Sequence, residues 1–415
     1  MACACGLAVV ATVICQAAHD HPSSKAVRID ELVALYERYG YLNGAVLVAE
    51  HGKVIYARGV GAARMESHTP NTPQTRFDIA SITKQFTAVL VLQQVEDGRM
   101  RLDGKLSDYL PWYRTDTGAR ITVEQLLRHT SGMPPDFDTP EFSQTDEASR
   151  PYEPQPFAER FCQQPLVSDP GTKWNYSNCG YILLGLILER LTGQSFADLL
   201  RTALLQPLGM KDSGMDRNDL PQLGGAMGYL RLAGPRYRPG PEIDRAHIFS
   251  AGAMYSTVED LFRWNQALSA QTPFSQEIRN QIFKPGLNNW AYGWFVTNLP
   301  SGSPGAGATQ AEMRGDLPGN FFSWILRYPE QDDAIIVLRN AYGSTEHLEQ
   351  NIQAILFDQN PRLPARSPKD LAASAWLVPA AWVGSHRMLS VVAALLLVAI
   401  SALAARTRRG TRTPV

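Results

Sequence analysis

An α+β fold is what this sequence predicts: an antiparallel sheet built from both ends of one domain, flanked by helices, with a mainly helical region inserted between. Two observations carry that expectation. Apolar runs rich in β-branched and aromatic residues lie near the start (44–50 and 53–58) and return in the last third (292–297, 321–328 and 334–339). Between them, from residue 81 to about 248, the pattern is helical and loop-rich, so strands from the two ends would share one sheet. A third observation adds a C-terminal transmembrane helix over 388–405, a run without a charge. The 415-residue chain is 44% hydrophobic, enough for a full core.

Taken in order, residues 1–18 are nearly all small or apolar, and Cys15-Gln16-Ala17 offers a small-x-small cleavage site, which reads as a signal peptide. Its alternative is an uncleaved N-terminal anchor. The folded domain then runs over 27–360. Residues 27–39 have helical periodicity ended by Gly40, and 44–50 with 53–58 form a hairpin around His51-Gly52. A polar, proline-containing loop at 65–75 delivers the chain to a helix that starts near Ser81 and stops at Asp97-Gly98. Thr122 opens a short helix ended by His129-Thr130-Ser131-Gly132, and the prolines of 134–156 mark a surface excursion. Helices follow over 180–191, 196–205 and 258–268, then the three late strands, and 346–357 closes the domain as a helix.

Residues 361–387 read as a proline-containing linker, 388–405 as the membrane span, and 406–415 as a basic cytoplasmic tail. Together with the leader, this orientation places the body outside the cytoplasm, on the cytoplasmic membrane by a single pass. After Asp370 there are five arginines and no acid, so the body carries a net charge of −6 although the whole chain has −1. A mildly acidic body gives no electrostatic reason to expect nucleic acid as partner. No His or Cys pair has zinc-ligand spacing, and neither metal nor cofactor is expected. Of five cysteines, Cys162 and Cys179 fall outside the leader. Export would allow them to pair. Spacing does not give their separation, and Cys179 sits within a motif that reads as buried, which weighs against a bond.

The chemistry centres on Ser81-Ile82-Thr83-Lys84. At i and i+3 of a helix the hydroxyl and the amine share a face. A serine needs a base to become nucleophilic, and a lysine serves as one if burial lowers its pKa. The helix N-terminus works the same way, disfavouring a cation and favouring an oxyanion. Taken alone, the tetrapeptide is a chance-level signal.

Two further motifs change that. Pro170-Gly171-Thr172-Lys173-Trp174-Asn175-Tyr176-Ser177-Asn178 and Met313-Arg314-Gly315-Asp316-Leu317-Pro318-Gly319 follow in order. With these three motifs the chain resembles the serine β-lactamase and penicillin-binding-protein superfamily, in particular the class C β-lactamase-like branch with D-Ala-D-Ala carboxypeptidases and esterases. The resemblance spans about 45–341 and includes Leu127-Arg128-His129-Thr130-Ser131-Gly132 and Ala251-Gly252-Ala253-Met254-Tyr255. It implies a β-lactamase/transpeptidase-like fold and a serine hydrolase acting on a small-molecule or peptide substrate.

By the same resemblance, Ser81 attacks a carbonyl to give an acyl-enzyme, Lys84 is its base, and Tyr176 completes the proton path. Asn178 binds Lys84 and the acyl side-chain amide, while the strand at Gly315 and Asp316 supplies, with Ser81, the oxyanion-hole N–H groups. His129, with Ser131 beside it, resembles a triad histidine, but there is no Gly-x-Ser-x-Gly elbow and the stretch reads as a structural turn. Asn178-Cys179-Gly180 is also a plausible helix N-cap.

The third motif departs from the family pattern. Where that pattern has Lys or His, this chain has Met313, which neither carries charge nor donates a hydrogen bond. Arg314 is its neighbour, and adjacent strand residues face opposite ways. Peptidoglycan-type D-amino-acid peptides suit the expected location, whereas small esters or amides suit Met313 better, so esterase, D-amino-acid peptidase and β-lactamase-like activities all stay open. A non-catalytic binding or scaffold protein that keeps the fold is the second reading, which the intact Ser81, Lys84, Tyr176 and Asn178 oppose.

Overall fold

A computed structural model describes residues 24–134, 147, 150–233, 236–270, 273–342 and 347–366. Its central sheet has six strands: β1 (Gly44–Glu50), β2 (Lys53–Val60), β3 (Phe295–Asn298), β4 (Thr309–Leu317), β5 (Phe321–Tyr328) and β6 (Asp333–Arg339). They lie in the order β3-β4-β5-β6-β1-β2, antiparallel throughout. β1 pairs with β6, from Gly44 opposite Arg339 to Ala49 opposite Ala334, so the two ends of the domain meet in one sheet as expected.

Side chains alternate across this sheet and build two cores. Val46, Val48, Leu326, Ile335 and Val337 pack on one face with Ile29, Leu32 and Val33 of α1 (Ser24–Arg38) and Ile352 and Ile355 of α8 (Leu348–Leu356). Ala45, Leu47, Ile325, Ile336 and Leu338 point to the other face and join the larger helical core. That core is built on α2 (Thr83–Glu96) and α5 (Asn178–Thr192), both buried along nearly their whole length, with α7 (Val258–Ser269) beside them. The site lies at the seam between the helical region and the sheet.

Several expectations shift by a few residues for local reasons. The strand expected at 292–297 begins only at Phe295, because Trp290–Trp294 forms a tight loop that turns at Gly293, φ 83°. Gly293 also lies on α2: a Cβ there would come within 2.8 Å of the Gln85 backbone. The excursion expected through 156 ends earlier, in a helix α4 (Pro154–Phe161) that starts with proline at N1, where no N–H is needed. The short helix opened by Thr122 is α3 (Val123–Leu127), with Thr122 and Gln125 forming a capping box.

Cys162 and Cys179 are bonded to each other, with Cα atoms 5.3 Å apart, contrary to the expectation that burial of the Cys179 motif weighs against pairing. Packing of α4 along α5 brings the two together, and both sulfurs are shielded from solvent. Among the described residues no helix is long and apolar enough to cross a membrane. The expected signal peptide at 1–18, the span at 388–405 and the tail at 406–415 lie outside the described residues, as does most of the linker.

Candidate active site

Ser81 sits in a 3₁₀ turn, Ala80–Ile82, that feeds directly into α2. The turn is fixed from behind. Asp78 is fully buried, and its Oδ1 accepts the Ala80 N–H at 2.9 Å. Its Oδ2 accepts from Arg245 Nε at 2.6 Å, and Arg245 also reaches Asp216 at 3.2 Å. Burial first of all pushes the Asp78 carboxyl up, from 3.8 to about 6, against the pull of the Arg245 charge. From the sheet side, Ser323 Oγ donates to the Asp78 carbonyl at 3.2 Å. Gly315 of β4 lies so close that a Cβ would collide with the Ile79 carbonyl oxygen.

At the second residue of α2, one turn after Ser81, Lys84 has no exposed surface. Its Nζ donates to Ser81 Oγ at 3.1 Å, to Asn178 Oδ1 at 2.6 Å and to the Ala251 carbonyl at 2.9 Å. Three acceptors match the three donors of an ammonium. The Ala251 carbonyl, in the short helix α6 (Phe249–Gly252), is the partner that sequence reasoning missed. The Ala251-Gly252-Ala253 stretch was its available signal, but a carbonyl belongs to every residue and marks none.

Tyr176 approaches Ser81 from the other side, its hydroxyl donating to Ser81 Oγ at 2.7 Å, while Lys84 Nζ lies 4.7 Å from the centre of its ring. Ser177, not Asn178, caps α5: its hydroxyl accepts from the Gly180 N–H at 3.3 Å. Asn178 is thereby the first helical residue, with its amide oxygen directed at Lys84. The four residues Ser81, Lys84, Tyr176 and Asn178, from two motifs far apart in the sequence, converge around the Ser81 hydroxyl. His129 does not join them. It is buried behind Tyr176, its Nδ1 accepts the Ser177 N–H, and burial followed by the Lys84 charge holds its pKa well below the usual 6.5.

The whole constellation falls inside residues 28–359, which match the family described as Beta-lactamase. The chain belongs to the Beta-lactamase family. It is 29% identical to the protein flp of Staphylococcus aureus (strain MRSA252) over 342 residues, 78% of this chain and 66% of flp, so it spans just under two thirds of that relative. Penicillin-binding protein 4* of Bacillus subtilis (strain 168) is 29% identical over 381 residues, 86% of this chain and 82% of that protein. Among solved structures, the octameric penicillin-binding protein homologue from Pyrococcus abyssi is similar at a TM-score of 0.68 and 25% identity, covering 81% of this chain and 78% of its own.

β4 shows how this member departs from the family pattern. Met313 is buried at 2% exposure, opposite Ile325 and within the helical-side core. Arg314 points to the opposite face, where its guanidinium lies 3.9 Å from the Trp324 ring centre and 3.6 Å from Glu312. It cannot stand in for a base at Met313. Asp316 also turns its side chain away, accepting from the Tyr342 hydroxyl at 3.4 Å, so only its backbone can serve the site. Beside Tyr176, half-buried Trp174 and Phe295 have ring centres 6.1 Å apart and, with Trp290, form an aromatic wall.

Proposed function

We propose that this chain is a membrane-anchored, extracytoplasmic serine hydrolase that acts on neutral esters or amides through an acyl-enzyme on Ser81. The observation that carries the reading is the placement of Ser81 Oγ between Lys84 Nζ, at 3.1 Å, and the Tyr176 hydroxyl, at 2.7 Å. When Lys84 gives up one proton, two N–H donors remain for Asn178 and Ala251 and a lone pair faces Ser81. Ser81 Oγ then bonds to the carbonyl carbon while its proton passes to Lys84 Nζ. The oxyanion forms against the N–H groups of Ser81 and Asp316. As it collapses, the leaving group departs with a proton through Tyr176, and water later releases the acyl group from Ser81 by the same path in reverse.

Met313 supports the choice of a neutral substrate, since β4 offers no cation where a substrate carboxylate would bind. The Cys162–Cys179 bond supports an oxidising compartment, where such bonds persist. The charge-free 388–405 run with its arginine flank supports the anchor.

Mass spectrometry after incubation with a fluorophosphonate tests the chemistry: one adduct on Ser81 is expected, absent from Ser81→Ala. Wild-type protein left unmodified by both the fluorophosphonate and a penicillin would favour a non-catalytic scaffold. Parallel assays then sort substrates, with a short p-nitrophenyl ester expected to turn over faster than a D-Ala-D-Ala peptide. Membrane placement is checked by fractionation, the full chain pelleting with membranes and a chain ending at residue 387 being released.

A further inference from the structure

We infer that His129 is a positioning residue for Tyr176, holding the main chain on both sides of the phenol-bearing residue. This rests on the reading of Tyr176 as part of the Ser81 proton path. The Asn175 N–H donates to the His129 carbonyl at 2.7 Å, and the Ser177 N–H donates to His129 Nδ1 at 3.1 Å. One residue thus receives the amides immediately before and after Tyr176. Its imidazole also lies against the Tyr176 ring, with centres 4.4 Å apart and planes inclined at 40°. Backbone and ring of Tyr176 are both located by His129, and the phenol is left to reach Ser81 Oγ.

Further details of His129 fit this role. Its backbone is left-handed, φ 54°, a conformation uncommon outside glycine, and it lets carbonyl and imidazole face the same segment. Residues 129 and 176 lie on chain segments that meet where α3 packs against α5, and the Gly171 N–H on the Thr130 carbonyl and the Asn175 side chain on the Met133 carbonyl join them further. Nδ1 accepts only when unprotonated, and burial together with the nearby Lys84 charge keeps the ring neutral. Among the described residues the Nε2 atom has no hydrogen-bond partner, and Nδ1 is the ring atom that engages the Tyr176 segment.

Two substitutions separate acceptor from ring. In His129→Asn the side-chain oxygen takes the place of Nδ1, and asparagine tolerates the left-handed backbone. In His129→Phe the ring volume stays but the Ser177 N–H loses its acceptor. In the full chain, His129→Phe is expected to lower kcat for a p-nitrophenyl ester about 10- to 100-fold, with KM within about threefold, because a small displacement of Tyr176 spoils alignment more than binding. His129→Asn is expected to keep kcat within about fivefold of wild type. Hydrogen exchange at the Ser177 amide should accelerate in His129→Phe and stay protected in His129→Asn. Ser81→Ala should keep that protection while losing turnover, so failure of the acyl-enzyme reading is distinguishable from failure of the clamp. Equal loss of kcat in both variants, or unchanged Ser177 exchange in His129→Phe, overturns the inference. Should His129→Phe fail to fold, His129→Asn decides alone: loss of both kcat and Ser177 protection overturns it, and retention of both supports it.

Discussion

Lys84 is surrounded by Ser81 Oγ, Asn178 Oδ1 and the Ala251 carbonyl, so its chemistry is set by how many protons it carries. As an ammonium it satisfies all three acceptors and is no base; as an amine it keeps two and turns its lone pair to Ser81. Lys84→Met fills the same channel without that lone pair. It is expected to lower kcat for a p-nitrophenyl ester about 10²- to 10⁴-fold, with the fold retained by circular dichroism. At Met313 the expected change is a gain. Met313→Lys introduces a donor that a substrate carboxylate can use, and a hydrogen bond to a charged group contributes about 1.5–3 kcal/mol. Penicillin acylation of Ser81, followed by mass spectrometry, should accelerate about tenfold or more. The same variant should melt at a lower temperature, because residue 313 is buried in an apolar core. At this scale the sequence was most legible. Ser81, Lys84, Tyr176 and Asn178 are distinctive residue types in compact motifs, whereas the Ala251 carbonyl could be found only once the chain was folded.

Between single residues and the whole lies the way the Ser81 turn is gripped by neighbouring elements. β4 and β5 hold it from the sheet side through Gly315 against Ile79 and the Ser323 hydroxyl on the Asp78 carbonyl. Gly315→Ala should therefore displace the turn, lowering both the melting temperature and ester turnover, while Ser323→Ala should cost only about 1 kcal/mol, measured by urea unfolding. From the loop side the grip is Asp78 with Arg245 and Asp216. The Asp78 carboxyl is raised in the folded protein from 3.8 to about 6, so between those values the native state holds a proton that the unfolded chain has lost. Its contribution to stability is present below about pH 4 and declines as pH rises to about 6. The difference in unfolding free energy between wild type and Asp78→Asn should fall across that window and level off above it. A flat difference would mean that Asp78 does not titrate there. None of these contacts was legible beforehand. Gly315 was expected only as part of the oxyanion strand, and no pattern in the sequence singles out Asp78. The helix cap was placed one residue late, at Asn178, because Ser177 and Asn178 are both good caps and only the fold shows which one Lys84 claims.

For the molecule as a whole, the expectation that both ends of the domain share one sheet follows from hydrophobic pattern, and the pairing of β1 with β6 bears it out. Hydrophobic pattern does not report which distant segments touch, and Cys162 with Cys179 is the case in point. They are separated by 17 positions, and only the packing of α4 along α5 sets their Cα atoms 5.3 Å apart. The bond closes a loop containing the segment that leads to Tyr176, so it restrains the unfolded chain most where the site is assembled. In the chain-entropy account, closing a loop of about this length contributes about 3 kcal/mol. A Cys162→Ala/Cys179→Ala protein should accordingly lose about 3 kcal/mol in urea unfolding. Ester kcat at 25 °C should change far less, since Asn178 is held independently by the Ser177 cap and by its bond to Lys84. The two measurements separate a bond that stabilises the domain from one that shapes the site. A large fall in kcat with unfolding free energy unchanged would show that the bond acts on the geometry around Asn178 and not on the stability of the fold.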